Sequence, residues 1–290
     1  MLVNSPKIFY RHAFENKYAF PAFNVWNLEI AKAVAEAADL ENAPILMQTF
    51  YGDLDYGGIE ELASLSHLVI KRAKVPILLH LDHPNGLPMV LQCLKNGYRS
   101  VMFDGGSLAL DENVRETGLA AQVAHALDAV IEGEIGQFGG EHQAGTVQEC
   151  TPDDAERMFK ESGIDMLAIS VGSVHGQPSR LKLPLLKEIA SRTGGQLVLH
   201  GGSGINPDDL TKSLELGVVK VNIGAAVFEA WISGLEEGVA QKSSDPHRPR
   251  HYGISKHAMD KVTEAARGRI RLLRASNRAD SMKKALHAED

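Results

Sequence analysis

The sequence predicts an α/β chain folded as one (β/α)8 barrel over residues 1–290, followed by a helical C-terminal extension within the same domain. Three observations predict it. Short, β-branched apolar runs recur along the chain, amphipathic helical segments lie between most of them, and no linker or shift of composition divides the whole. Apolar runs without alternation are what a parallel sheet covered on both faces requires. A doubly wound open sheet is the alternative; no GxGxxG follows the first strand, which excludes only its dinucleotide-binding form.

In chain order, YAFPAFNV (18–25) precedes the helical LEIAKAVAEAADLEN (28–42), and APILMQTF (43–50) precedes IEELASLSHLVIKRAK (59–74). VPILLHLD (75–82) breaks at Pro84 and Gly86 and passes into GLPMVLQCLKNG, where Gly97 suits a helix stop. SVMFDG (100–105), AVIEGEIG (129–136) and MLAISVGS (166–173) are the fourth to sixth runs. QLVLHGG (196–202) leads to NPDDLTKSLELG, with Asn206 as N-cap, an acidic first turn at Asp208 and Asp209, and Gly217 as stop. VVKVNIG (218–224) completes eight. The last segment, 255–290, is charged with helical spacing. It reads as an outer or oligomer-contacting helix, or as the source of a basic residue that reaches a ligand phosphate.

Bulk properties narrow the function classes. A net charge of −7 argues against nucleic acid or an anionic membrane as the main partner. Cys93 and Cys150 cannot make a disulfide framework, which fits a reducing compartment. The opening MLVNSPKIFYRH lacks the apolar core of a signal peptide, and no run approaches a membrane span. A cytoplasmic protein is expected, assembled as a homodimer or homotetramer.

In a barrel, reactive side chains come from the C-terminal strand ends. Those ends carry Asn24, Asp82 and His83, Asp104, Glu132 and Glu134, and Asn222, while strands six and seven run into His175 and His200. Any one of these histidines alone reads as an ordinary structural histidine. Three at one rim read as a three-ligand metal site with an open fourth position. Gly201-Gly202-Ser203-Gly204 follows His200 and precedes a helix start, the usual place for a phosphate. His80 and Asp82 share one strand face, so a chelate using His80, Asp82 and His83 equally is not expected; His80 reads as a supporting hydrogen-bonding group.

These residues resemble the class II, metal-dependent ketose-bisphosphate aldolases, the family of fructose- and tagatose-bisphosphate aldolases. The resemblance covers nearly the whole chain and is carried by AFNV (22–25), LHLDH (79–83), SVMFDG (100–105), EGEIGQFGGE (132–141), VHG (174–176), LVLHGGSGI (197–205) and KVNIG (220–224). It implies that His83, His175 and His200 hold a divalent cation, Zn2+, with Glu134 as an alternative ligand. It implies Asp82 as proton donor and acceptor at the hydroxyl of the breaking carbon–carbon bond. Gly176, Gly201, Gly202 and Ser203, with Asn222, Ile223, Gly224 and Ala225, would cradle the phosphate of a dihydroxyacetone-phosphate moiety, with Asn24 in the same substrate shell. A monovalent cation held by nearby carbonyls is a further implication. The metal would serve as Lewis acid on the ketone, so no lysine Schiff base is needed.

The chain departs from the family's pattern in four places. Glu141-His142-Gln143 stands where the family has a glutamate pair, leaving Glu141 or His142 as the second acid/base. Phe50 replaces a substrate-facing serine, Ser107 stands in place of a histidine after strand four, and Ala225 replaces a phosphate-binding threonine. LLRASNRA (272–279) resembles the family's C-terminal motif, making Arg278 a candidate for a second phosphate or terminal acidic group. An intact metal shell with an altered substrate shell implies cleavage of a ketose 1-phosphate or 1,6-bisphosphate other than the usual fructose 1,6-bisphosphate. The competing readings are a non-catalytic barrel subunit and another metal-dependent phosphosugar lyase, epimerase or hydrolase.

Overall fold

The computed structural model describes residues 3–137, 148–244 and 251–288. Among them, eight parallel strands close into a barrel in sequence order, with the last pairing back to the first. They are β1 (Phe20–Asn24), β2 (Ile45–Phe50), β3 (Ile77–Asp82), β4 (Ser100–Phe103), β5 (Val130–Ile135), β6 (Met166–Ile169), β7 (Leu197–Leu199) and β8 (Val218–Ile223). Each falls inside one of the predicted runs. The helices are α1 (Pro6–Glu15), α2 (Leu28–Leu40), α3 (Tyr51–Gly57), α4 (Ile59–Arg72), α5 (Leu87–Lys95) and α6 (Leu110–His125). They continue with α7 (Pro152–Ser162), α8 (Leu183–Thr193), α9 (Pro207–Ser213), α10 (Ala225–Ser244), α11 (His251–Leu272) and α12 (Ala279–His287). None of the described helices is long and apolar enough to cross a membrane.

Local chemistry sets several boundaries. Asn27 caps α2 by accepting from the Ile30 amide at 2.8 Å, and Asn206 caps α9 by accepting from Asp208 and Asp209. Gly217 ends the short 3-10 turn after α9 in the left-handed region at φ 89°.

Two helices go beyond the predicted elements. α1 closes the floor of the barrel, where Phe9 stacks on Phe20 at 4.1 Å and Tyr10 meets the same ring edge-on at 5.7 Å. α3 follows β2 without a turn, so the chain stays helical at the rim where a loop would otherwise run.

The charged C-terminal segment wraps the barrel as α11 and α12. α11 packs on α2 and α10, and an added Cβ at Gly234 would meet the Cα of Ala258 at 2.5 Å, so only glycine allows this approach of α10 to α11. The end of the chain is pinned to α2 through Glu41, which accepts from Arg267, Arg271 and Ser276 at 2.9, 2.6 and 2.9 Å.

Candidate active site

The even-numbered residues of β2, β3, β5 and β8 point into the barrel, and the last inward residue of several strands opens onto one cavity of about 440 Å³. Asn24, Asp82, His83 and Asn222 line it from strand ends. His175 and Gly176 come from the segment after β6, Gly201 and Ser203 from that after β7, and Gly224 and Ala225 from the start of α10.

Asp82 is fixed by two amides. Gln48 Nε2 donates to its Oδ2 at 2.9 Å and Asn222 Nδ2 to its Oδ1 at 2.8 Å. Gln48 also donates to Asn24 Oδ1 at 2.8 Å, tying three strands around one carboxyl group. Donors on both oxygens fix its orientation at the cavity edge.

The three histidines converge. The ring centroid of His83 lies 4.7 Å from that of His200 and 5.7 Å from that of His175, and ligand-type atoms of all three lie within 4.8 Å of one another. Strand alternation alone would turn His83 away from Asp82's face. It is instead re-aimed by a left-handed backbone, φ 43°, a conformation costly for a side chain with a Cβ. Its Nδ1 bonds Asp104 at 2.8 Å, whereas its buried Nε2 meets no hydrogen-bond partner. A buried ring nitrogen without a partner, in a cluster of donors, fits a divalent cation. Glu134 sits beneath, fully buried, with Oε2 3.5 Å from His200 Nδ1 and 3.9 Å from His83 Nδ1.

Electrostatics favour a cation here. Burial pulls the His83 imidazole down, but Asp82, the Asp104 hydrogen bond and Glu134 outweigh it and raise it to about 10. Surroundings that favour a proton on His83 equally favour a metal ion. His200 is held well below the ordinary histidine range by burial and then by His83, which leaves it the neutral ring that ligation requires.

A second ring of side chains supports these, and in it Glu132, Lys220 and Gln48 had no role assigned from the sequence. His200 Nε2 bonds Glu132 Oε1 at 2.9 Å, and Lys220 Nζ donates to Glu132 Oε2 at 2.8 Å, all three fully buried. His80 supports them, as read from the sequence: its Nδ1 bonds Ser100 at 2.7 Å, and Ser100 bonds Tyr10 of α1 at 2.9 Å. The signal was present in the strand alternation. Glu132 lies two residues before Glu134, Lys220 two before Asn222 and Gln48 two before Phe50. Of the cavity's remaining lining, Phe50 was read from the sequence as a substrate-facing position, whereas Trp26, Asp53 and Phe228 had no comparable signal. Burial first, and then Asp82, raise the Asp53 carboxyl to about 6.

Some predicted positions fall elsewhere. Gly202 and Ile223 are buried behind the cavity, and the Gly202 N–H is spent on Asn222 O at 3.0 Å, so it is not a phosphate donor; a Cβ there would stand 2.2 Å from Val221 Cγ1. Arg278 is corrected: within the chain it lies at the opposite end of the barrel, over the Tyr18 ring at 5.6 Å, because the segment after α11 turns down toward the start of β1. The basic residue that does approach the cavity from the C-terminal segment is Arg269, which donates to Ser203 O at 2.8 Å. Glu141 and His142 lie outside the described residues.

Comparison with known proteins agrees with this geometry. The profile of the family described as fructose-bisphosphate aldolase class-II matches residues 4–278. The chain is 32% identical over 284 residues to a sulfofructosephosphate aldolase of Alkalicoccus urumqiensis, covering 95% of this chain and 98% of the relative. It is 38% identical over 247 residues to a fructose-bisphosphate aldolase of Streptococcus pyogenes serotype M1, covering 82% and 84%. The crystal structure of the YdjI aldolase from Escherichia coli K12 superposes with a TM-score of 0.86 at 25% identity, covering 96% of this chain and 100% of that one. The chain therefore belongs to the class II fructose-bisphosphate aldolase family, metal-dependent carbon–carbon lyases that act on sugar phosphates.

Proposed function

We propose that the chain reversibly cleaves a ketose carrying a 1-phosphate, or a 1,6-bisphosphate, to dihydroxyacetone phosphate and an aldehyde, with Zn2+ held by His83, His175 and His200. The observation that carries this is the convergence of Asp82 and three histidines on a cavity whose other wall is a glycine-rich turn and the N-terminus of α10. Bound there, the metal supplies Lewis acidity at the substrate carbonyl. His83 and His200 are held for that task by Asp104 and Glu132, and Glu134 stands as the alternative ligand.

The phosphate is taken up by the backbone around Gly176, Gly201 and Ser203 and by the first turn of α10 at Gly224 and Ala225. Ser203 Oγ accepts from the Ala226 amide at 3.1 Å, which leaves its own proton for a phosphate oxygen. The family threonine is Ala225 here, so backbone N–H groups carry more of the binding. Asp82 takes the proton of the hydroxyl on the aldehyde-side carbon as the carbon–carbon bond breaks, and that oxygen becomes the aldehyde carbonyl. Gln48 and Asn222 hold the carboxylate in place for the transfer and for its return in the condensation direction. The electron pair stays with the triose carbon, which is protonated by Glu141 or His142.

The same reading makes the chain a cytoplasmic homo-oligomer. Cys93 and Cys150, both free and buried, support a reducing compartment, and exposed Phe228 and Ile232 on α10 support self-association. Incubating metal-replete protein with a panel of ketose mono- and bisphosphates and assaying triose phosphate tests the activity. Release should cease with chelator and return with Zn2+. Turnover without carbon–carbon cleavage, or no turnover across the panel, would overturn the reading.

A further inference from the structure

The proposed chemistry orients the substrate within the cavity. The phosphate lies at the β7 and β8 side, and Asp82 acts on the hydroxyl of the carbon that becomes the aldehyde. The remainder of the aldehyde half therefore runs past Asp82 toward β2. In that direction Phe50 pairs in register with Asp82, and its ring stands edge-on to His83 at 6.4 Å. Beyond it, α3 brings Gly52 and Asp53 into the cavity wall. Asp53 is held there by a backbone hydrogen bond with Phe50 and is close enough to Asp82 for the two carboxyl groups to repel.

Among the described residues that line this end of the cavity, none is lysine or arginine. Arg269, on the opposite, phosphate side, is committed to Ser203 O. A phosphate or sulfonate at the far end of the sugar would face two carboxyl groups and an aromatic ring, with no lysine or arginine among the described lining residues. A chain of hydroxyls would face a carboxylate able to accept their protons and a ring to pack against their carbons.

Resting on the aldolase reading, we infer that the substrate is a ketose 1-phosphate whose aldehyde half is uncharged, and that Asp53 and Phe50 enforce this by rejecting a second anionic group. Asp53 is a specificity residue here and takes no part in the bond cleavage. A carboxylate placed against an anion discriminates by like-charge repulsion, which suppresses the wrong partner.

The test compares kcat/KM of the zinc-loaded protein for ketohexose 1-phosphates and for the 1,6-bisphosphates of the same stereochemistry. The wild-type chain should prefer the monophosphate by about 100-fold or more. Asp53→Asn should narrow that ratio by about tenfold or more, chiefly by lowering KM for the bisphosphate, while Asp53→Glu, which keeps the charge, should retain it. Phe50→Ser should narrow it from the same wall. A wild-type preference for the bisphosphate would overturn the inference and leave the aldolase reading standing. An unchanged ratio in folded Asp53→Asn would also overturn it. Release of triose phosphate from no member of either series would overturn the aldolase reading and the inference together.

Discussion

Lys220 and Glu132 form a fully buried ion pair across the barrel, Nζ to Oε2 at 2.8 Å, and the other oxygen of Glu132 holds His200 Nε2 at 2.9 Å. One carboxylate thus joins a structural charge to a ring proposed as a metal ligand. A buried pair contributes little net stability when whole, but removing one partner leaves the other charged and without water. Lys220→Met should therefore lower the unfolding free energy by about 3–5 kcal/mol. The double variant Lys220→Met/Glu132→Gln should recover much of that loss, and a denaturant-unfolding double-mutant cycle measures the coupling directly.

Glu132→Gln should also weaken the metal. It replaces the carboxylate that orients His200 and makes its other nitrogen more basic, and such changes cost about 10–100-fold in affinity. Metal titration of apo-protein, read by a competing chromophoric chelator, checks this. An unchanged affinity would remove Glu132 from the metal site.

Asp82 and the histidines should separate into two phenotypes. Asp82→Asn keeps the shape of the side chain but turns one acceptor into a donor, so the Gln48 or Asn222 amide must turn over to meet it; the variant should retain metal yet slow cleavage by about 10²–10⁴-fold. His83→Ala, His175→Ala or His200→Ala should lose metal first, and activity with it. Metal content by emission spectroscopy beside kcat distinguishes the classes. Normal turnover in Asp82→Asn would mean another group takes the proton.

Acid should loosen the C-terminal helices through Glu41. Hydrogen bonds from Arg271 foremost, then Arg267 and Ser276, hold its carboxyl at about 2 against the opposing effect of burial. A lowered folded-state value stabilises fully above the unfolded carboxylate value of about 4.3 and is lost as pH falls toward the folded one. Glu41→Gln should lower Tm at neutral pH, and its Tm should fall less steeply than wild type between pH 4.3 and 2. Parallel pH–Tm curves would show that the contact carries no linkage.

Asn206 offers a local control. It accepts from two amides at the start of α9, beside the glycine-rich turn, and Asn206→Ala should cost about 1 kcal/mol in thermal or denaturant unfolding with little effect on metal content.

The periodic apolar runs, the caps at Asn206 and Gly217, and the polar residues at or just after the C-terminal ends of most strands were legible in sequence because they depend on neighbours a few residues away. Eight such strands, most followed by a polar residue at the same end, leave few architectures open, so the barrel and the convergence of Asp82, His175 and His200 were determined by the sequence itself. The tertiary structure decided what long-range packing sets. Strand alternation would have pointed His83 away from the site, and a left-handed backbone turned it inward. Gly202 read as a phosphate donor until Asn222, from the next strand, was seen to take its N–H. Arg278 was placed by motif at the substrate, whereas the path of the chain after α11 carried it to the barrel floor over Tyr18. The Lys220–Glu132–His200 chain joins residues up to 88 positions apart, and no local rule pairs β5 with β8 across a closed barrel.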